Sequence, residues 1–92
     1  MTRLESQVEQ QLCARLHDEL GLTTIKLERA KGYPDRLVLT PLHPVFVEVK
    51  RPGEEPERIQ AARHGFLRRL GYTVLVVDNV EEGMAWFKEV MG

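Results

Sequence analysis

The sequence of 92 residues has one cysteine, a net charge of only −1 and no long hydrophobic run. Because Cys13 is alone, the chain can form neither an intramolecular disulfide nor a cysteine-rich zinc site. No apolar run approaches the roughly 20 residues of a membrane-spanning helix. No signal peptide precedes the first predicted helix, so we expect a cytoplasmic protein without a membrane contact.

The basic residues are unevenly distributed, although the net charge does not indicate a nucleic-acid-binding protein. Between Lys50 and Arg69 there are six lysine or arginine residues and three acids. Such a cluster is typical of a phosphate-binding surface, but also of an ordinary solvated helix face. The length and a composition of 42% hydrophobic and 29% charged residues predict a single domain over residues 1–92.

Two amphipathic stretches frame the predicted strands. The first predicts a helix over residues 3–20, with Thr2 as its N-cap and Glu5 as the capping-box partner. The second predicts a helix that begins at Pro56 or Glu57. Its predicted buried face consists of Ile59, Ala62, Phe66, Leu67 and Leu70.

Four strands are predicted, at residues 23–27, 37–39, 45–50 and 72–77. In the first strand, Ile25 and Leu27 are predicted to face the core. The second and third form an antiparallel hairpin, and the third and fourth pair in parallel through a right-handed helical crossover. With a last helix at residues 80–91, the prediction is an α/β fold in the order αβββαβα, a mixed four-stranded sheet flanked by helices.

Three charged residues lie on the predicted hairpin. Because strand side chains alternate between faces, the valines of Val45–Val49 share the core face, and Glu48 and Lys50 share the other. The antiparallel pairing brings Asp35, which precedes the second strand, alongside Glu48 or Lys50. An unpaired charge inside a sheet is costly, so such residues are neutralised, paired or metal-bound.

This grouping of two carboxylates and a lysine indicates a metal site. Hard cations such as Mg²⁺, or Mn²⁺ in its place, take carboxylate oxygens and water, and the carbonyl of Val49 would add a third protein oxygen. Lys50 would orient or help to deprotonate an attacking water and stabilise charge on phosphorus. Each residue also has an ordinary interpretation. Asp35 would be a turn residue after proline, Glu48 an exposed edge residue or the ion-pair partner of Lys50, and Lys50 a lysine that snorkels from the end of a strand.

The motifs resemble a known family. Pro34-Asp35 followed by Glu48-Val49-Lys50 is the pattern of the PD-(D/E)xK nuclease superfamily. The longer pattern is similar to the virus-type replication-repair nuclease (VRR-NUC) domain; it comprises Gly32-Tyr33-Pro34-Asp35-Arg36, Phe46-Val47-Glu48-Val49-Lys50-Arg51-Pro52-Gly53 and Gln60. The resemblance extends from about Leu4 to Asp78, and the joint pattern is much more specific than Asp…Glu-x-Lys alone.

The resemblance implies a restriction-endonuclease-like core and a Mg²⁺-dependent endodeoxyribonuclease. It implies a glutamate of the first helix, Glu5 or Glu9, that holds the metal through water, and a catalytic glutamine at Gln60. It also implies a homodimer that cuts branched DNA, such as Holliday junctions or flaps, in phage or bacterial DNA repair. The host would be a bacterial or phage-infected cell.

Several basic residues are candidate DNA contacts, although each alone is an ordinary surface residue. They are Lys26, Arg36, Arg51, Arg58 and Arg63. Arg36 has a second interpretation, in which it orients Asp35 or holds the strand edge. His17, His43 and His64 show no ligand spacing, and such histidines are usually structural.

Two other functions stay open, together with the oligomeric state. The chain could be a non-catalytic nucleic-acid-binding module with the same fold, or a small structural protein whose charged strand is a salt-bridged edge. The last helix carries apolar residues over a wide arc, which favours a homodimer. These residues are Met84, Trp86, Phe87, Val90 and Met91.

Overall fold

The elements follow one another in the predicted order αβββαβα. The computed structural model describes residues 3–28 and 31–92, and for Arg3 only the backbone, so the predicted cap at Thr2 lies outside the described residues. The helices are α1 (Arg3–Leu20), α2 (Arg58–Arg69) and α3 (Val80–Met91). The strands are β1 (Thr23–Lys26), β2 (Arg36–Leu39), β3 (Pro44–Val49) and β4 (Thr73–Val77).

The sheet is mixed, as predicted. Its strand order is β1-β2-β3-β4; β1, β2 and β3 pair antiparallel, whereas β3 and β4 pair in parallel with α2 as their crossover. No helix in the described part of the chain is both long and apolar enough to cross a membrane.

The two faces of the sheet differ in chemistry: one face is apolar, and the other carries charged residues of the site. The valines of Val45–Val49 are at most 1% exposed and belong to one apolar core with residues of α1 and α3. Leu12 and Leu16 come from α1, and Met84 and Phe87 from α3. On the other face α2 packs against β4, and this is the face of Glu48 and Lys50.

The predicted placement of Ile25 is wrong. Thr24 pairs with Val38, which is 1% exposed, so Thr24 takes the core face of β1. Ile25 pairs with Leu37 on the opposite face and is 44% exposed. The strand register overrides the apolar preference, because β1 is the edge strand farthest from β4, against which α2 packs.

The predicted buried face of α2 is also wrong in part. His64 and Leu67 are buried, whereas Phe66 is 44% and Leu70 59% exposed. The buried side of the helix is therefore a stripe at positions 60, 64 and 67, because α2 packs over a sheet face that carries Glu48 rather than apolar residues alone. The polar sheet face decides which side of the helix turns inward.

Gly32 fits the loop before β2 closely against α2. Its φ is +82°, and a Cβ added there would lie 2.8 Å from Ile59 Cγ1 and 3.2 Å from the Ile59 carbonyl oxygen. This position therefore requires glycine for two reasons, backbone conformation and space. The contact fixes the segment that leads into Pro34 and Asp35.

We predict that Gly32→Ala lowers the free energy of unfolding by roughly 2–4 kcal/mol, the sum of left-handed backbone strain and overpacking against a backbone oxygen. Gly53→Ala is the matched control, because Gly53 has a φ of +81° and nothing within 4 Å of an added Cβ. Chemical denaturation measures both variants. Equal losses in the two variants would contradict the close packing of Gly32.

Candidate active site

A pocket of about 510 Å³ opens at the carboxyl end of β3. Its lining combines residues of α1, the β2 and β3 ends, the following loop and the start of α2: Glu5, Asp35, Glu48, Lys50, Arg51, Glu54, Glu57 and Gln60. The structure thus brings together five of the six predicted catalytic residues, all but Glu9, and one of the predicted DNA contacts, Arg51. Glu54 and Glu57 are additions that the sequence analysis did not single out.

Asp35 is held from two directions. Its Oδ2 accepts the Val49 N–H at 2.8 Å, and its backbone carbonyl accepts the Leu27 N–H at 2.9 Å. The carboxylate is therefore tied to β3 at the residue between Glu48 and Lys50. The backbone amide of Val49 orients Asp35, while the proposed metal-binding role of the Val49 carbonyl stays a prediction.

Glu48 is deeply buried, with 2% exposure. Its Oε2 accepts a hydrogen bond from Gln60 Nε2 at 3.3 Å. Its Oε1 lies 3.5 Å from His64 Nε2, but the two atoms do not form a hydrogen bond, and neither has any other partner within the described residues. A buried carboxylate oxygen without a partner is costly, which marks this atom as one that a further group would satisfy.

The two carboxyl groups perturb each other. Burial, then the neighbouring charge of Asp35, raises the pKa of Glu48 to about 8. Burial also raises the pKa of Asp35, against the lowering effect of the Val49 hydrogen bond. Two neighbouring acids, one buried and one half-buried, that cannot both ionise readily are a typical arrangement for a site completed by a cation.

The residues present fit a hard divalent cation. The pocket lining holds five carboxylates against two basic side chains, so the site has an excess of negative charge. Among residues 3–28 and 31–92, no three histidine, cysteine or acidic side chains form a metal-binding group. Two carboxylates with open positions for water suit Mg²⁺ or Mn²⁺, which keep several waters, better than a fully protein-enclosed metal.

Lys50 lies on the same strand face as Glu48 and is 7% exposed. Its charge lowers the pKa of both Asp35 and Glu48, although less than burial raises them. The lysine is therefore a built-in counter-charge of the carboxylate pair.

The two glutamates of α1 have different surroundings. Glu5 lines the pocket, with its Oε1 3.9 Å from Arg51 Nε. Glu9 is 3% exposed and accepts from Arg36 Nε at 2.5 Å. The geometry therefore favours Glu5 as the residue that faces the site, and Glu9 as the partner of Arg36.

The candidate DNA contacts are not grouped on one surface. Arg36 pairs with Glu9 on the α1 face of the sheet, and Lys26, its register partner, is exposed on that face, away from Glu48. This geometry favours the second interpretation of Arg36, as a residue that holds the strand edge.

Three other arginines lie nearer the pocket or on α2. Arg51 lines the pocket and donates to Glu54. Arg58 is exposed at the first residue of α2, and Arg63 lies 5.3 Å above the Tyr33 ring. These three arginines are therefore better placed for DNA than Lys26 or Arg36.

The orientation of Gln60 is determined by both ends of its amide. Its Oε1 accepts the Glu57 backbone N–H at 2.8 Å within a capping box, and its Nε2 donates to Glu48. The buried residue to which the sequence analysis gave no role in the site is His64, one helical turn after Gln60 and 1% exposed. Its spacing of four residues from Gln60 is the signal in the sequence that places both side chains on one side of α2.

We predict that the metal-free protein loses stability as pH rises from about 4.5 to about 8, because folded Glu48 retains a proton that the unfolded chain has released. Glu48→Gln removes the contribution of Glu48 and should stabilise the metal-free protein by roughly 1–3 kcal/mol above pH 8. Denaturation across pH in the presence of a chelator measures it. The control is Glu89→Gln, at an exposed position of α3; a loss of stability with rising pH that is as large in Glu48→Gln as in the wild type would contradict the assignment.

Comparisons with known proteins agree with the fold and the motifs. No family model matches the chain. A protein of Acyrthosiphon pisum secondary endosymbiont phage 1 that bears the name "Putative nuclease p44" is 46% identical over 50 residues. The match covers 53% of this chain and 54% of the phage protein, so it spans about half the length of that relative.

Two solved structures are similar over nearly the whole chain. One, described as "VRR_NUC domain", has a TM-score of 0.80 and 27% identity, and the match covers 95% of this chain and 97% of the other. A second, described as "VRR_NUC domain protein", has a TM-score of 0.77 over 97% and 88% of the two chains, and at 15% identity it shows the fold alone. The chain therefore has the VRR_NUC fold, and this confirms the resemblance drawn from Pro34-Asp35, Glu48-x-Lys50 and Gln60.

Proposed function

We propose that the protein is a divalent-metal-dependent endonuclease that hydrolyses phosphodiester bonds in DNA. The observation that carries the proposal is the pairing of half-buried Asp35 with buried Glu48 and Lys50, at the open end of β3. The VRR_NUC fold and the name of the phage relative support a nuclease. Mg²⁺, with Mn²⁺ as a substitute, is the proposed cofactor, held by Asp35, Glu48 and the Val49 carbonyl.

The side chains around the pocket would contribute to hydrolysis in different ways. A bound divalent cation would supply Lewis-acid activation of the phosphate and of an attacking water. Lys50 places a positive charge where negative charge develops on the phosphoryl oxygens. Gln60 keeps the Glu48 carboxylate in position, and Glu5, the acid of α1 that lines the pocket, would hold a metal-bound water.

The proposed reaction is in-line attack of water on phosphorus. The water oxygen bonds to phosphorus, the bond from phosphorus to the 3′ oxygen breaks, and the protons of the water are shared between the released 3′-hydroxyl and the solvent. The products are a 5′-phosphate and a 3′-hydroxyl, the outcome that the superfamily resemblance implies.

We propose that the substrate is branched DNA, such as a Holliday junction or a flap in phage or bacterial DNA repair. A chain of 92 residues has little surface for reading base sequence, so selectivity would come from the shape of the DNA. Arg51, Arg58 and Arg63 are the proposed phosphate contacts. Arg51 would exchange its ion pair with Glu54 for a phosphate when DNA enters the pocket.

The charge of the pocket weighs against the main alternative, a non-catalytic nucleic-acid-binding module. Five carboxylates at the pocket repel phosphate unless cations are bound, so the surface is poorly suited to plain DNA binding.

The surroundings of Glu48 weigh against the other alternative, a purely structural protein. A salt-bridged strand edge would leave Glu48 satisfied, whereas its Oε1 is buried without a hydrogen-bond partner.

We further propose that the protein forms a homodimer, but not through the arc of α3. Met84 and Phe87 of α3 are at most 1% exposed, and Trp86, Val90 and Met91 are half-buried. Five of the exposed apolar residues lie instead on α2 and the sheet face beside it. They are Ile25, Leu39, Phe66, Leu70 and Tyr72.

We predict that Asp35→Asn, Glu48→Gln and Lys50→Met each reduce cleavage of branched DNA by at least roughly 100-fold, because each removes a ligand or charge used in the transition state. The measurement is cleavage of junction, flap and linear duplex DNA with Mg²⁺ or Mn²⁺. Lys88→Gln, at an exposed position of α3 outside the basic cluster, is the control and should cleave normally.

The outcomes of the cleavage assay separate the functions. Binding of junction DNA without cleavage, unchanged by divalent metal, would favour the non-catalytic module. Neither binding nor cleavage would favour the structural protein. Full activity of Glu48→Gln would show that the site is wrongly assigned.

For the oligomeric state, we predict a mass in solution near twice the 10.6 kDa of one chain. Leu70→Glu should convert the dimer to a monomer, because it places a charge in the proposed apolar contact. Leu4→Glu is the matched control, since Leu4 is 54% exposed on α1. Light scattering at micromolar concentration decides; a monomeric wild type, or a dimer that Leu70→Glu leaves intact, contradicts the proposed contact.

A further inference from the structure

His64 lies beneath the carboxylate pair, on the side away from solvent. Its exposure is 1%, and that of Glu48 is 2%. The distance from His64 Nε2 to Glu48 Oε1 is 3.5 Å, and these are the two buried side-chain polar atoms of the described residues without a hydrogen-bond partner. Two such atoms that face each other are unlikely neighbours by chance, since buried polar atoms are usually satisfied.

Two side chains of α2 lie next to the two carboxylate oxygens of Glu48. Gln60 and His64 are four residues apart and therefore share one side of the helix. Gln60 donates to Oε2, and its orientation is fixed by the capping box with Glu57. His64 faces the remaining oxygen, Oε1, so one helix turn can hold the whole carboxylate.

We infer that His64 is a positioning residue for Glu48, through an Nε2–H that donates to Oε1. The inference rests on the proposed function, because the orientation of Glu48 matters where the carboxylate holds a cation. Without a hydrogen on Nε2, two buried acceptors would lie 3.5 Å apart with no donor between them. With a hydrogen on Nε2, both orphaned atoms are satisfied after a small approach.

This role differs from that of a metal ligand and from that of a core residue. A ligand would need an open path from Nε2 to the pocket, and His64 is not among the pocket-lining residues. If His64 only filled space in the core beside the buried Leu67, a ring of similar shape without nitrogen atoms would serve equally well. Hydrogen-bond partners of metal ligands typically change metal affinity by roughly 10- to 100-fold when removed.

The test compares two substitutions in the full chain. His64→Phe keeps a ring without a nitrogen, and His64→Gln keeps an N–H at the position corresponding to Nε2. Mn²⁺ affinity is measured by calorimetry in the absence of DNA. We expect His64→Phe to bind Mn²⁺ roughly 10- to 100-fold more weakly, and His64→Gln to recover most of the loss.

The control and the contrary outcomes are distinct. His17→Phe, at an exposed position of α1, should bind Mn²⁺ as the wild type does. If the wild type binds no Mn²⁺, the proposed function fails. If the wild type binds it and His64→Phe binds it equally well, or His64→Gln recovers nothing, the positioning role fails while the function stands.

A second measurement uses the wild-type protein alone, so it does not depend on whether a substituted protein folds. The ¹⁵N chemical shifts of the His64 ring in the wild type report which nitrogen carries the proton. In the Mg²⁺-saturated protein we expect the neutral Nε2–H tautomer. A Nδ1–H tautomer in that state would overturn the inference, whatever the stability of His64→Phe.

Discussion

Two carboxylates held side by side, one buried and one half-buried, are the constraint on which the structure depends. Asp35 is tied to the Val49 amide, and Glu48 is covered by α2. Burial raises both pKa values, the charge of Asp35 raises that of Glu48 further, and Lys50 offsets only part of this. A fold that keeps such a pair retains a site that a divalent cation would complete.

The rest of the fold is arranged to hold this pair. The apolar face of β3 anchors the strand in the core with α1 and α3, which leaves its other face for Glu48 and Lys50. Gly32 allows the loop before Asp35 to pack on α2, and α2 in turn covers Glu48 with a polar rather than an apolar stripe. The stability of the domain therefore comes from one side of the sheet and its chemistry from the other.

The order of elements, the hairpin and the grouping of Asp35, Glu48 and Lys50 could be predicted from sequence, because alternation in strands fixes which side chains are neighbours. What could not be predicted were features decided by packing between elements. Thr24 rather than Ile25 faces the core because of the β1–β2 register, and His64 rather than Phe66 is buried because α2 covers Glu48. Which of Glu5 and Glu9 faces the site depends on the position of Arg36, which pairs with Glu9. The residue spacing within α1 does not reveal that pairing.

We propose above all that Asp35 and Glu48 bind a divalent cation together. Anomalous diffraction from crystals grown with Mn²⁺ tests this most directly. We expect a manganese peak within about 2.0–2.4 Å of a carboxylate oxygen from each residue, and no such peak in Asp35→Asn crystals. A carboxylate pair without manganese at saturating concentration, or a peak that persists in Asp35→Asn, would contradict it.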